Sequence, residues 1–99
     1  MGKSYKDTFN ELMKDPDFRA EWEAQEPERQ IIRAIIEGRE NQNMTQKDLA
    51  NATGIGQADI SRLENGTANP SLRTLKRLAS GMGMKLKISF VPDPLNSVR

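Results

Sequence analysis

Residues 45–66 read TQKDLANATGIGQADISRLENG, and their spacing decides the fold. Thr45 followed by Asp48 has the form of a capping box, which opens a helix over residues 46–53. A second helical pattern covers residues 57–65, and Gly66 can take the left-handed conformation that ends it. Gly54 stands at the joint, where a positive φ meets no Cβ clash. Leu49 and Ala50 face inward from the first helix, and Ile60 and Leu63 from the second, with Ile55 between. Ala50 is small where the two helices would cross.

This is the spacing of a helix-turn-helix. An ordinary α-helical hairpin with a polar face would share the periodicity. The joint presence of Ala50, Gly54, Ile60, Leu63 and the closing LENG favours the former. The second helix is then covered on one side and bare on the other. The bare side carries Gln57, Ala58, Ser61, Arg62 and Asn65. Gln can pair with adenine through two bonds and Arg with guanine, Ala can touch a thymine methyl, and Ser can bond either way. Gln57, Ala58, Ser61 and Arg62 are therefore the expected base contacts. Gln46, in the first turn of the leading helix, is an expected phosphate contact, since free N–H groups there attract anions. Asn65, Thr67, Asn69, Ser71 and Arg73 are expected to hold phosphates on the other flank.

Outward from this unit, Ser71 caps a further helix in which Leu72, Leu75, Leu78, Ala79 and Met82 recur at helical spacing. Gly81 and Gly83 close it. Upstream, PERQIIRAIIEGRENQN sets Ile31, Ile32, Ile35 and Ile36 on one stripe. Before that, SYKDTFNELMK forms a short helix with Tyr5, Phe9, Leu12 and Met13 in register. Asp15-Pro16 starts another, on which Phe18 and Trp22 share a face. After Gly83 the period changes. In MKLKISFV, Met84, Leu86, Ile88 and Phe90 alternate with Lys85, Lys87 and Ser89, the pattern of a half-buried strand. No second strand is legible, so the partner must be a second copy of the chain or the edge of another protein's sheet.

Charge divides the 99 residues. Residues 1–30 carry five Lys/Arg and eight Asp/Glu, residues 31–99 ten and six. Between Ser71 and Ser89 there are five basic residues and no acidic one. An acidic front and a basic back suggest two different partners. There is no Cys and no His, which excludes disulfides and ordinary zinc sites, and no metal or cofactor is expected. No Ser, Lys or carboxylate arrangement suggests catalysis, so an enzyme is not expected. No apolar run approaches the ~18 residues that span a bilayer, and no signal-peptide core is visible. The expectation is a cytoplasmic protein.

The segments TQKDLA, G, ISRLENG and PSLRTLKRLA resemble the Xre/Cro–C1 family of phage-repressor-type domains, over residues 29–83. That resemblance implies a lambda-repressor-like all-α bundle, dimeric binding to palindromic operators, and an ion pair between Arg39 and Glu64. The chain departs from the family at Gly56, where Ser or Thr is usual as the cap of the recognition helix. With the leader SYKDTFNELMKDPDFRAEWEAQEPE and the strand MKLKISF, the whole chain resembles HigA-type antitoxins. That implies a RelE/HigB-like, mRNA-cleaving toxin as partner and repression of the chain's own operon. The alternatives are a stand-alone repressor and a protein-only adaptor. The expected organisation is a leader over 1–26, the helix-turn-helix domain over 27–83, a strand over 84–91 and a loose tail over 92–99. In the leader, Tyr5, Phe9, Leu12, Phe18 and Trp22, set among acids, suit a basic toxin cleft; they could equally pack on the domain. In the strand, Leu86, Ile88 and Phe90 are the expected dimer contacts.

Overall fold

Local capping chemistry sets where the helices begin. In the computed structural model, which describes residues 4–93, Ser4 accepts from the Asp7 amide and starts α1 (Tyr5–Leu12). Asp15 accepts from the Asp17 amide and starts α2 (Pro16–Ala24), with Pro16 in the first turn. Gln25 ends α2 and also precedes α3 (Glu26–Asn41), so the two helices meet at a single-residue elbow. Thr45 and Asp48 form a reciprocal capping box at the start of α4 (Gln46–Thr53). Those bonds from Thr45 hold the Asp48 carboxyl below its ordinary range. Gly56 precedes α5 (Gln57–Glu64) without a side-chain cap, and Ser71 caps α6 (Leu72–Gly81) through the Thr74 amide.

The core is made by four of these helices. Ile35, Leu49, Ile60, Leu63, Leu78 and Met82 form one buried cluster, with Ile31, Met44, Ala50, Ile55 and Ala68 packed against it. The α4–α5 joint follows from Gly54, whose φ of 76° is left-handed and whose amide donates to the Ala50 carbonyl. Close approach of α4 and α6 follows from Gly81. A Cβ there would overlap the Thr53 Cγ2 methyl.

The leader does not enter that core. Neither α1 nor α2 has a buried residue. Instead Phe9, Phe18 and Trp22 pack on one another. Phe9 meets Trp22 edge-on with centroids 4.9 Å apart and Phe18 at 6.4 Å, while Phe18 and Trp22 lie 6.3 Å apart. Arg29, from the first turns of α3, lies over the Trp22 ring at 3.6 Å and pairs with Glu26 at 2.7 Å. The leader is thus a satellite cluster held to the start of α3. The radius of gyration, 16.6 Å, exceeds the roughly 13 Å of a compact chain this long.

The strand expected over 84–91 is not formed. The described residues contain six helices and no strand. After Met84, whose amide donates to the Ala79 carbonyl, the described residues up to 93 form no regular secondary structure. The reason is physical: a strand needs a neighbour for its amides and carbonyls, and the described residues supply none. Leu86 is half-buried, Ile88 is 62% exposed and Phe90 is fully exposed. Part of the expected tail, residues 94–99, lies outside the described residues. Among the described residues no helix is long and apolar enough to cross a membrane, and no cluster of acidic, His or Cys side chains could hold a metal.

Candidate nucleic-acid interface

α5 is fixed from behind and open in front. Ile60 and Leu63 are buried. Gln57, Ala58, Arg62 and Asn65 are exposed, and Ser61 is half-buried. Gly56 supplies no side-chain cap and the Asp59 amide turns back to the Gly56 carbonyl, so the Gln57 and Ala58 amides are left at the positive end of the helix dipole, where an anion is favoured.

The rear anchor is an ion pair. Arg39 Nε and an Nη donate to the two carboxylate oxygens of Glu64 at 2.9 and 3.0 Å, and the other Nη donates to the Met44 carbonyl at 3.0 Å. Side-chain exposure is 14% for Arg39 and 6% for Glu64. The hydrogen bonds to Glu64 push the Arg39 pKa still higher. Glu64 also accepts from the Gln46 amide at 3.0 Å. One residue on α5 therefore ties α3 and α4 to the back of the open face.

Several expected DNA contacts are already engaged within the chain. The Gln46 amide is held by Glu64, so its nitrogen can turn to a phosphate only with the donor left over. Thr67 donates its hydroxyl to the Arg62 carbonyl at 3.2 Å, leaving that oxygen as an acceptor, which a phosphate cannot use. Ser71 accepts from the Thr74 amide and donates to the Thr74 hydroxyl at 3.1 Å. Gln57, Asn65, Asn69 and Arg73 are exposed and have no side-chain hydrogen bond or ion pair within the described residues. Arg62 pairs with Asp59 one turn earlier, both more than half exposed. An exposed pair of this kind is worth under about 1 kcal/mol, so a base or phosphate can displace it.

An open groove flanks α5, lined by Gly56, Asp59, Arg62, Asn69, Ser71 and Arg77 among others. It brings the front of α5, the α5–α6 loop and the start of α6 onto one concave surface.

These features can be set beside known proteins. A family model described as helix-turn-helix matches residues 35–88, more than half of the chain. The chain belongs to the helix-turn-helix family. It is 36% identical over 58 residues to an uncharacterised HTH-type transcriptional regulator of Haemophilus influenzae, covering 59% of each. It is 30% identical over 84 residues to Antitoxin HigA1 of Mycobacterium tuberculosis, covering 85% of this chain and 56% of that one. The chain therefore spans less than two thirds of either relative's length. Among solved structures, it resembles a toxin–antitoxin module from Streptococcus pneumoniae with a TM-score of 0.55 and 26% identity, covering 92% of this chain and 97% of that one.

Within the helix-turn-helix unit, Arg77 is a residue that periodicity did not single out. Its Nη2 donates to the Thr53 carbonyl at 2.6 Å, at the C-terminal end of α4. A cation there suits the helix dipole. The same guanidinium lies 3.1 Å from where a Cβ on Gly54 would stand, so it packs on the turn itself. The basic run after Ser71 was the available signal; its contact with the turn depends on tertiary packing.

Asp59→Asn is expected to tighten binding to duplex DNA about two- to five-fold, because it frees Arg62 and removes a negative charge from the open face. An anisotropy titration checks this. Weaker binding would mean that Asp59 orients Arg62 for its contact.

Proposed function

We propose that this chain is the antitoxin of a type II toxin–antitoxin pair. It acts by binding and catalyses no reaction. Two copies bind a palindromic operator and repress their own operon, and the leader neutralises a RelE/HigB-like, mRNA-cleaving toxin in the cytoplasm. Gln57, Ala58, Ser61 and Arg62 read bases, while Gln46, Asn65, Thr67, Asn69, Ser71 and Arg73 hold phosphates. Thr67, whose amide and hydroxyl both donate to the Arg62 carbonyl, does so after releasing one of those bonds, and Ser71 does so after releasing its own or through its backbone amide.

The observation that carries the antitoxin reading is the extent of the match to HigA1. An 84-residue stretch of this chain must begin at or before residue 16, so it takes in α2 and cannot be confined to the DNA-binding unit. The leader's chemistry supports the same reading. It is acidic, its aromatic cluster is only half-buried, and Tyr5 and Leu12 stand 85% and 44% exposed. A ribonuclease cleft that grips RNA phosphate is basic, and an acidic segment with apolar anchors complements it.

The 84–91 segment, exposed except at half-buried Leu86, supports pairing with a second copy. Antiparallel pairing about Ile88 sets Leu86 against Phe90 and Lys87 against Ser89, so no two lysines lie directly opposite. The segment becomes a strand when that partner is present.

Removal of residues 1–26 is expected to abolish growth rescue of cells that express the operon's toxin, and to leave duplex binding intact. Rescue by the truncated chain would place toxin inhibition elsewhere. The transcriptional regulator from Haemophilus influenzae, matched over 58 residues, favours a second reading as a stand-alone repressor. That reading gains if no adjacent toxin gene exists.

A further inference from the structure

α6 carries Arg73, Lys76 and Arg77 and no acidic residue. With Leu72 and Ser80, the three cations line one open groove on its outer side. Like charges three and four positions apart on a helix repel one another. Arg73 also stands in the first turn, where the helix dipole disfavours a cation. Neither Arg73 nor Lys76 has an ion pair or hydrogen bond to relieve this within the described residues. The arrangement costs stability in the free chain, and an anion bound along it reverses the sign.

The groove meets the one beside α5 at a shared residue. Arg77 lines both, anchored to the Thr53 carbonyl at the α4–α5 turn. A polyanion leaving the front of α5 past Asn69 and Ser71 meets Arg77 and then the outer face of α6.

We propose that the outer face of α6 is a second stretch of the DNA track: Arg73, Lys76 and Arg77 hold duplex phosphates outside the base pairs that α5 faces. The inference rests on the DNA-binding reading of α5. The groove adds affinity and no sequence preference, since phosphate contacts carry none. Lys76 is the most diagnostic residue. It is exposed, unpaired and a full turn inside α6, away from the helix start.

The test is a salt series of anisotropy titrations with a mixed-sequence duplex of about 30 base pairs. Loss of one phosphate contact lowers the slope of log K against log salt by about 0.9, which is about eight-fold in affinity near 0.1 M salt. Lys76→Gln is expected to show both changes. Lys6→Gln, the same change of charge on α1, is expected to show neither. If Lys76→Gln moves the slope no more than Lys6→Gln does, the α6 track is overturned while the α5 reading stands. If wild-type binding is itself insensitive to salt, both fall. A third outcome also overturns the track: light scattering shows that Lys76→Gln dissociates an oligomer while the salt slope is unchanged. The groove would then seat the acidic leader of a second copy.

Discussion

Replacement of Glu64 by alanine is expected to destabilise the chain by about 3–5 kcal/mol in urea or thermal unfolding, a large share of the roughly 5–15 kcal/mol that holds a domain of this size. The cost comes mainly from what is left behind. Glu64 takes both of the carboxylate-directed bonds of Arg39 and the amide bond of Gln46. Without it, a largely buried guanidinium keeps only the Met44 carbonyl. The intact pair need not contribute that much net stability, because both charges were desolvated to form it. Glu64→Gln is expected to cost less, since its amide oxygen still accepts from Arg39. A loss below about 1 kcal/mol for Glu64→Ala would mean that the pair behaves like an exposed one.

Leu49→Ala is expected to cost about 2–5 kcal/mol. Leu49 is wholly buried in the central cluster, and its Cδ1 lies 3.5 Å from the place of a Cβ on Gly81. The cavity cannot close easily, because α4 is fixed by its capping box and α6 already approaches to the limit that Gly81 allows. Phe18→Ala removes a larger side chain, yet it is expected to leave the main transition in place. Phe18 belongs to the leader cluster, outside the buried core. Equal losses from the two substitutions would mean that leader and core unfold as one unit.

What could be read from the amino acids alone follows from how local each interaction is. Asp15, Thr45 and Ser71 announce their helices because a cap involves residues two or three apart. Leu49, Ile60, Leu63 and Leu78 announce the core because helical period fixes which face they share. Arg39 and Glu64 are 25 positions apart, and only likeness to a family brought them together on the page. Periodicity placed Phe9, Phe18 and Trp22 on helix faces but not against one another, since that depends on the elbow at Gln25 and on Arg29. The candidate site was legible in outline. The open face of α5 was readable, whereas the internal engagement of Gln46, Thr67 and Ser71 was not, because a hydroxyl or amide chooses its partner only in the fold. Residues 84–91 show the limit most plainly. Alternation records a capacity to pair, and no described residue supplies the mate.

Trp22 is the chain's single indole, and it sits in the leader beneath the Arg29 guanidinium. Its emission is therefore a native optical reporter of that segment and of its contact with the start of α3. One unlabelled sample can thus be followed in two channels, fluorescence for a protein ligand arriving at the front and circular dichroism for the helices throughout.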